Sequence, residues 1–399
     1  MDLAELTALL TPEGLRLVDE LGALDAAGDV AATVSRLRSA GRAPELVAAA
    51  VGQARLRSRA RAKFGAFADR MLFTRAGLEQ ATRLEIAASH AGRFRDAGIR
   101  AVADLGCGIG GDALALAGIG LDVLAVDADE VTAALAAYNL APFGDAATVR
   151  HARAQDVDLA GIDAVWLDPA RRTAGHGETT RLGAEEWSPP LDWVWQLAAR
   201  MPAGVKLGPA FDRTLIPDDA EAQWISVDGS TIELVVWTGA LARPGIRRAA
   251  LVVRGGAAAE LTAGADAPDA EVRPLGAYLH EPEGAVIRAR LIGEVARSLG
   301  AGMIDEKIAY LTSDATVDGP AESPFVQSFR IREQLPNDVK ALARALRERG
   351  IGTLEIKKRG VDVDPAALRT KLKLHGSASA TLIVTRVGDR RLTLLADRL

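Results

Sequence analysis

Four glycines occupy a short stretch between an apolar run and a segment rich in alanine and leucine, in the sequence VADLGCGIGGDALALA at residues 102–117. Gly106, Gly108, Gly110 and Gly111 predict a tight turn between a strand and a helix, because glycine adopts backbone conformations that other residues disfavour and lets a ligand approach the main chain. A helix that begins after such a turn offers unpaired N–H groups. The stretch therefore predicts a site for a nucleotide-like ligand at the end of a strand.

Acidic residues stand at the end of this strand and of the strands predicted after it. Asp104 precedes the first glycine, and Asp127 ends the apolar run VLAVD, 21 residues after that glycine. A carboxylate at this second position can accept hydrogen bonds from both hydroxyls of a ribose. Asp156, in VRHARAQDVDL, is suited to an adenine amino group, and Asp168-Pro169 follow the run AVWL. Because parallel strands end at one edge of a sheet, we expect these carboxylates to border one cleft.

Two ligands fit the glycine spacing. Gly106, Gly108 and Gly111 also match G-x-G-x-x-G, the fingerprint of dinucleotide binding, so NAD(P) is the rival of S-adenosylmethionine. Asp104 favours S-adenosylmethionine, because a carboxylate at this position would face a cationic aminoacyl group better than a pyrophosphate. Asp156 also favours it, because this acid has no role in a nicotinamide-dependent oxidoreductase.

Together these residues resemble the class I S-adenosylmethionine-dependent methyltransferases. The sequence matches that family at DLGCGIG, residues 104–110, and at Asp127, Asp156 and Asp168-Pro169, in the same order and spacing. The resemblance implies that the glycine turn and the first aspartate hold the methionine part of S-adenosylmethionine. It also implies that the second-strand acid holds the ribose and the third-strand acid the adenine. The implied cofactor-binding residues are Asp104, Gly106, Gly108, Gly110, Asp127 and Asp156.

The end of the fourth predicted strand departs from a known motif. Amino-group methyltransferases carry (D/N/S)PP(Y/F/W) there, with the aromatic ring stacked on the base, whereas this chain has Asp168-Pro169-Ala170-Arg171. The candidate catalytic residues are Asp168, Pro169 and Arg171. Asp168 can take a proton or only accept a hydrogen bond. Arg171 can stack on a base, pair with a phosphate, or form a salt bridge with acidic residues of the chain.

The chain has one cysteine, Cys107, which lies within the glycine turn. Methylation at C5 of a pyrimidine uses a thiolate nucleophile, and a cysteine whose backbone serves the cofactor is poorly placed for that role. We therefore predict direct in-line transfer to nitrogen or oxygen. One cysteine and five scattered histidines also predict no metal site.

Hydrophobic periodicity separates a helical start from an α/β middle and an α+β end. In the helical part, Thr74 is a candidate N-cap for one helix from Arg75 to about Gly98. Apolar runs then alternate with helix-length segments, which predicts a parallel, Rossmann-like α/β sheet. Asp228-Gly229 predicts a tight turn between two later strands.

Longer segments extend the resemblance over nearly the whole chain. KFGAFADRMLFTRAGLEQAT, LDPARR, VKLGPAFD, YLHEPEGAVIRA and LEIKKRGVDVDP are similar to bacterial methyltransferases that carry a THUMP-like C-terminal domain, preceded in some members by a ferredoxin-like module. THUMP domains bind structured RNA, so the resemblance implies an RNA partner. The predicted regions are an N-terminal helical segment at 1–85, a class I methyltransferase domain at 86–250, a ferredoxin-like module at 275–329 and a THUMP-like domain at 330–399.

Basic residues are concentrated in two segments. Residues 51–100 contain 11 Lys/Arg against 4 Asp/Glu, and residues 330–399 contain 16 against 8, although the net charge of the chain is −5. Such segments suit a polyanion if they form one patch, and otherwise are solvated helix faces. The candidate substrate-binding residues are Lys63, Lys206, Lys357, Lys358 and Arg359.

Composition narrows the class of protein. Hydrophobic residues make up 49% and charged residues 25%, which is typical of a globular protein. The sequence has neither a membrane-length apolar stretch nor the pattern of a signal peptide, so we predict a cytoplasmic location and no membrane partner. The favoured function is methylation of structured RNA. The alternatives are a methyltransferase for a small molecule or a protein, and a non-catalytic RNA-binding protein with a degenerate cofactor fold. The sequence leaves the oligomeric state open.

Overall fold

The structure is a computed structural model in which the chain forms two compact units. The N-terminal unit comprises Met1–Leu207 and Val236–Ala242, and the C-terminal unit comprises Gly208–Val235 and Arg243–Leu399. The structure describes residues 1, 3–22, 27–171, 187–314 and 323–399, and the side chains at 27–29 and 170–171 lie outside that description.

The N-terminal unit begins with helices that share one hydrophobic core. Pro12 and Pro44 stand in the first turns of α2 and α4, where a missing N–H costs no hydrogen bond. Thr11 caps α2, because its hydroxyl accepts a hydrogen bond from the N–H of Gly14 at 3.0 Å. The bounds are α1 Leu3–Leu9, α2 Pro12–Leu21, α3 Ala27–Ser39 and α4 Pro44–Phe64.

The prediction of a single helix from Arg75 to about Gly98 is wrong, because the structure has two helices there. Thr74 is the N-cap, as predicted, and accepts from the N–H of Gly77 at 2.9 Å. The ammonium of Lys63 donates hydrogen bonds to three carbonyl oxygens at the end of the first helix, each at 2.8 Å. These carbonyls have no partner within the helix, which ends here. The bounds are α5 Arg75–Gln80 and α6 Leu84–Asp96.

A parallel sheet in the order β3-β2-β1-β4-β7 forms the centre of the N-terminal unit, which confirms the predicted α/β fold. All residues of β4 and β7 are buried, so these strands are continuous apolar runs in the sequence. A short antiparallel pair, β5 and β6, lies between them in the chain. The bounds are β1 Ala101–Leu105, α7 Gly111–Gly118, β2 Asp122–Asp127, α8 Glu130–Leu140, β3 Ala147–His151, β4 Ala164–Leu167, β5 Ala170–Arg171, β6 Trp187–Ser188, α9 Leu191–Ala198 and β7 Ala203–Leu207.

An aromatic cluster packs α6 against this sheet. The rings of Trp166 and Trp237 are 5.7 Å apart, and the ring of Phe94 lies 6.3 Å from the first and 6.0 Å from the second. Gly204, on β7, leaves room for them, because a Cβ there would stand 2.7 Å from both tryptophan rings. The tight packing of these rings therefore requires a glycine at this position.

Asn139, on α8, ties the glycine turn to the helical segment. Its side-chain amide donates to the carbonyl of Ile109 at 2.9 Å and to that of Leu72 at 3.0 Å, and its oxygen accepts from the N–H of Leu72 at 2.8 Å. The side chain is buried, so water cannot replace these bonds. One amide thus fixes the turn that follows β1 relative to the chain after α4.

The remaining strands form two groups and belong to the C-terminal unit, except for the last residues of β9, from Val236, which belong to the N-terminal unit. In the first group, β10 pairs in parallel with β8 and antiparallel with β11. The predicted turn at Asp228-Gly229 is present, with φ of 47° and 81°. The second group has the order β13-β14-β12-β15-β18-β17-β16. The bounds are β8 Glu221–Val227, β9 Ser230–Thr238, β10 Arg248–Arg254, β11 Ala257–Ala263, β12 Tyr278–Pro282, α10 Gly284–Arg288, α11 Ile292–Ser298, β13 Gly302–Asp305, β14 Ile308–Ser313, β15 Val326–Leu335, α12 Val339–Glu348, β16 Ile351–Lys358, α13 Pro365–Leu372, β17 Ala378–Val387 and β18 Arg390–Arg398.

Helix α12 is strongly amphipathic. Leu342 and Leu346 are buried in a core that also includes residues of α13 and of strands β15 to β18. Lys340, Arg344 and Arg347 are exposed at positions i, i+4 and i+7, so they form one basic stripe along the helix.

We expect the substitution Asn139→Ala to destabilise the protein, because it leaves buried backbone groups at Leu72 and Ile109 without their partner. Each unpaired buried group costs about 1–3 kcal/mol. Chemical denaturation measures the free energy of unfolding. The matched control is Gln196→Ala, which removes an exposed amide from helix α9 and should change stability by less than about 0.5 kcal/mol. Equal stability of the two variants would contradict this role for Asn139.

Candidate functional site

A cavity of about 800 Å³ opens at the carboxyl ends of the parallel strands in the N-terminal unit. This volume is within the range of pockets that bind cofactors and small molecules. The glycine turn after β1 forms part of its wall, and the segment between α5 and α6 contributes another part. The lining includes Gly77, Thr82, Asp104, Gly106, Gly108, Asp112, Asp127, Arg153, Gln155, Asp168 and Lys206.

The glycine turn adopts a backbone path that other residues disfavour. Gly106, Gly108 and Gly110 have φ of 103°, 56° and 86°. A Cβ at Gly106 would also stand 3.2 Å from the carbonyl oxygen of Asp168, so the turn passes close to the end of β4. Gly106 and Gly108 line the cavity, whereas Gly110 caps α7 and lies against Leu140. The three glycines are therefore needed for shape, and two of them border the ligand space.

Asp104 is a fully buried carboxylate at the wall of the cavity. Among the described residues, neither of its oxygens has a hydrogen-bond partner. Burial, and then the nearby carboxylates of Asp112 and Asp168, raise the pKa of Asp104 well above its usual value. A buried charge without a partner is costly, so this carboxylate fits a cationic group of a bound ligand.

Asp127, at the end of β2, is held in place by the backbone. One carboxylate oxygen accepts from the N–H of Gly108 at 3.0 Å, and the other accepts from the N–H of Asp129 at 2.9 Å. Burial raises the pKa of Asp127 despite these two bonds. Each oxygen has a second lone pair, so the carboxylate can also accept from the hydroxyls of a ribose.

Asp156, which we predicted to face an adenine, is exposed on the turn after β3 and does not line the cavity. Its neighbours Ala154 and Gln155 do line the cavity. Asp156 lies five residues after the end of β3, at the end of a short 3-10 turn, and it is the preceding amide of Gln155 that borders the cavity.

Lys206 and Asp168 form an ion pair at the carboxyl ends of β7 and β4. The lysine nitrogen lies 2.5 Å from Asp168 Oδ2 and 3.0 Å from the hydroxyl oxygen of Thr82. Thr82 donates to Asp112 Oδ2 at 2.8 Å, and His90 Nδ1 lies 3.0 Å from Asp112 Oδ1. Burial opposes ionisation of Asp112, but the hydrogen bond with His90 and the charge of Lys206 lower its pKa. The cavity wall thus carries a connected network of charged and polar groups.

Three members of this network were not found from the sequence. Asp112 follows the glycine turn directly, and an acid in the first turn of α7 could have been noticed there. Thr82 and His90 come from the helical segment and carry no motif. They reach the site only because α5 ends at Gln80 and the chain turns before α6.

The remaining catalytic candidates differ in their surroundings. Asp168 lines the cavity with its side chain about one-third exposed, at 36%. Pro169 is buried and is not part of the lining. The backbone of Arg171 pairs with Trp187 in the short β5–β6 ladder, and its side chain lies outside the described part of the structure.

Four of the five basic candidates for substrate binding, Lys63, Lys206, Lys357 and Arg359, are engaged within the protein. Lys63 caps the end of α5, and burial, followed by the charges of Arg83 and Lys206, lowers its pKa.

In the C-terminal unit, Glu281 holds two of the other basic candidates. Lys357 Nζ lies 2.5 Å from one oxygen of Glu281, and a guanidinium nitrogen of Arg359 lies 3.4 Å from the other. Lys358 is exposed.

Cys107 is buried, and burial raises the pKa of its thiol well above the usual value. A thiol that stays protonated is a poor nucleophile. In the residues that the structure describes, no three His, Cys, Asp or Glu side chains form a group that could hold a metal ion. The same residues include no helix long and apolar enough to cross a membrane.

Comparison with known proteins places this geometry in a family. Residues 326–398 match the family described as THUMP domain-like, and residues 2–60 match a domain of unknown function. Proteins from two strains of Mycobacterium tuberculosis, each named as an uncharacterized S-adenosylmethionine-dependent methyltransferase, are 34% identical over 363 residues. The match covers 88% of this chain and 95% of each relative.

A solved structure shares the fold. A crystal structure from Porphyromonas gingivalis, named as a candidate methyltransferase, aligns with a TM-score of 0.67 at 21% identity and covers 94% of this chain and 99% of its own. The fit of the cavity to a cationic nucleoside, and the identity with the mycobacterial relatives, agree with the resemblance found in the sequence. The chain belongs to the class I S-adenosylmethionine-dependent methyltransferases with a THUMP-like C-terminal region, and its cofactor is S-adenosylmethionine.

Proposed function

We propose that this methyltransferase acts on structured RNA and transfers the methyl group directly to a nitrogen or an oxygen. The observation that carries the RNA substrate is the match of residues 326–398 to THUMP domain-like proteins, together with the basic stripe on α12 within that region. Lys340, Arg344 and Arg347 project from one helix face, as phosphate contacts along a nucleic acid backbone require.

The cavity residues have distinct roles in holding the cofactor. Asp104 faces the ammonium of the aminoacyl part, because this buried carboxylate lacks a partner among the described residues. The turn at Gly106 and Gly108 lets that part approach the backbone. Asp127 accepts from the ribose hydroxyls, and Gln155 takes the adenine-facing position that we first gave to Asp156.

The acceptor site lies beside Asp168, the one predicted catalytic residue whose described side chain borders the cavity. S-adenosylmethionine supplies a methyl group on a sulfonium, which leaves without further activation, so the protein mainly aligns the acceptor. Asp168 can bind the acceptor or take its proton. Cys107 serves the cofactor turn and takes no part in the transfer, which supports direct transfer over a covalent intermediate.

The substitution Asp104→Asn tests the ammonium site. We expect cofactor affinity to fall by about 10- to 100-fold in calorimetry, as for the loss of one charged hydrogen-bond partner. Because the pKa of Asp104 is raised in the folded protein, its ionisation opposes folding above the usual aspartate pKa. The cofactor-free variant should therefore melt at a higher temperature than the parent at neutral pH, and this difference should vanish in acid.

The matched control is Asp122→Asn, which removes an exposed carboxylate at the start of β2 and should alter neither the cofactor affinity nor this pH dependence.

Gly106→Val tests the turn independently, because the φ of 103° at Gly106 and the nearby Asp168 carbonyl leave no room for valine. Gly118→Ala is its control, since a Cβ there meets nothing within 4 Å. Normal cofactor binding by both Asp104→Asn and Gly106→Val would contradict the site.

The basic stripe predicts how RNA binding depends on salt. Replacing Lys340, Arg344 and Arg347 by alanine should weaken binding of total tRNA. Each phosphate contact that is lost reduces the number of counterions that binding releases. The slope of log affinity against log salt concentration is negative, and its magnitude should fall by about 0.7–0.9 for each lost contact, hence by about 2–3 for all three. A variant with Arg16, Arg36 and Arg38 replaced, which are exposed on the N-terminal helices, should keep the parent slope. Equal slopes in both variants would contradict the stripe as the RNA surface.

The substrate is tested directly in cells. We expect total RNA from cells without this gene to lack one methylated nucleoside that wild-type RNA contains, as measured by mass spectrometry of digested RNA. Restoring the gene should restore that nucleoside, and restoring it with Gly106→Val should not. No missing nucleoside would contradict the RNA substrate and favour a small molecule or a protein. RNA binding without any methyl transfer would favour a non-catalytic RNA-binding protein.

A further inference from the structure

We propose that the acceptor atom is a ribose 2′-hydroxyl oxygen, with Asp168 taking its proton and Lys206 stabilising the negative charge that develops on it. This inference rests on the proposed RNA substrate and narrows it from any nitrogen or oxygen to one type of oxygen. It is carried by the Lys206–Asp168 pair and by the absence of an aromatic residue after Asp168-Pro169-Ala170 in the sequence.

Strand register places the two side chains together. Strands β4 and β7 are parallel, with Leu167 opposite Val205, so the next residues, Asp168 and Lys206, stand side by side where both strands end. The ammonium nitrogen is 2.5 Å from Asp168 Oδ2. Both residues line the cavity, so an acceptor that reaches one of them also meets the other.

The lysine is fixed before any acceptor arrives. Lys206 is only 9% exposed, and its nitrogen also contacts the hydroxyl of Thr82 at 3.0 Å and lies 3.9 Å from Asp112 Oδ2. His90 holds that second carboxylate from the other side. Among the described residues, the charges of Asp104 and Lys63 also interact with that of Lys206. A buried cation held by two carboxylates and a hydroxyl is preorganised, so it needs no rearrangement during the reaction.

The sign of the charge at the acceptor separates the two classes of substrate. An amine nitrogen becomes more positive as it gains a methyl group, and a buried ammonium beside it would oppose that change. A hydroxyl oxygen becomes more negative as its proton leaves, and the same ammonium favours that change. Lys206 also occupies Asp168 Oδ2, which in an amine site would be free to accept from the planar amino group. The pair therefore suits a hydroxyl acceptor.

The reaction balances without another reactant. The hydroxyl proton passes to the carboxylate of Asp168, and the oxygen forms a bond to the methyl carbon. The bond between that carbon and sulfur breaks, and its electron pair remains on sulfur. The products are a 2′-O-methyl ribose, a neutral thioether and a protonated Asp168, which returns its proton to water.

The first test locates the methyl group by its chemistry. Total RNA from cells without this gene is incubated with the protein and methyl-labelled S-adenosylmethionine, and is then hydrolysed in alkali. A methylated 2′-oxygen cannot attack the adjacent phosphate, so we expect the label in alkali-stable dinucleotides. Label in ordinary mononucleotides would show a methylated base and overturn the hydroxyl acceptor, while leaving the RNA substrate intact. No label in any RNA would overturn both proposals.

The second test separates a chemical role of Lys206 from a structural one. We expect Lys206→Met to lower the transfer rate by about 100-fold, as for loss of one oxyanion donor, and Lys206→Arg to recover part of it. Without the ammonium the pKa of Asp168 rises, so the acidic limb of the rate profile of Lys206→Met should move to higher pH. Lys371→Met, which changes an exposed lysine on α13, should match the parent. An unshifted acidic limb, or Lys206→Arg no better than Lys206→Met, would overturn the role of Lys206.

The pair itself is tested without the reaction. A double-mutant cycle with Lys206→Met and Asp168→Asn, measured by denaturation of the cofactor-free protein, should show coupling at neutral pH that fades in acid as Asp168 becomes protonated. Calorimetry should show that Lys206→Met still binds S-adenosylmethionine. Additive effects at neutral pH would show that the two side chains do not interact and would overturn the proposal.

Discussion

Four carboxylates among the described residues border one cavity, and the balance of their charge is the constraint on which the candidate site depends. Asp104, Asp112, Asp127 and Asp168 all border the same space, and Lys206 is a buried cation among them. Repulsion between like charges grows as water is excluded, which is why burial and neighbouring carboxylates raise the pKa of Asp104. Lysine, backbone N–H groups and a histidine offset part of this charge. In the proposed binding mode a cationic cofactor matches the remainder, so binding would relieve the charge imbalance of the free site.

The N-terminal helices complete this balance. Lys63 donates hydrogen bonds to the carbonyls at the end of helix α5, and the turn that follows brings Thr82 between Lys206 and Asp112. Arg57, in the same basic segment, is buried against the carbonyl of Met71 and paired with a carboxylate. Part of the positive charge of residues 51–100 is therefore bound by groups within the protein and is not available at the surface. Lys63 holds the end of α5, which precedes the segment that lines the cavity, and a polyanion would meet less positive charge there than the sequence suggests.

The C-terminal unit shows the same distinction between charge in the sequence and charge at the surface. Lys357 and Arg359 share Glu281, so each has a carboxylate beside it. The stripe of Lys340, Arg344 and Arg347 differs, because the buried leucines of α12 face the core and leave these side chains exposed together. Arg344 has a carboxylate nearby, that of Glu348 at 3.9 Å, but both side chains of this pair are exposed to solvent. Helical periodicity gives the stripe its regular spacing, which is the property that a repeating phosphate backbone can use.

The sequence by itself determined the features that depend on neighbours along the chain: the parallel α/β order, the glycine turn, the acids where strands end, the Asp228-Gly229 turn and the cofactor. Backbone conformation and hydrophobic periodicity are local, so a local pattern encodes them. Only the tertiary structure decided that Asp156 turns outward, that Lys206 pairs with Asp168, and that Thr82 joins the network. These depend on register between strands and on contacts between residues far apart in the chain, 124 positions for Lys206 and Thr82. A local sequence pattern cannot encode contacts between residues so far apart in the chain, because packing and the energy of buried charge select these partners as the chain folds.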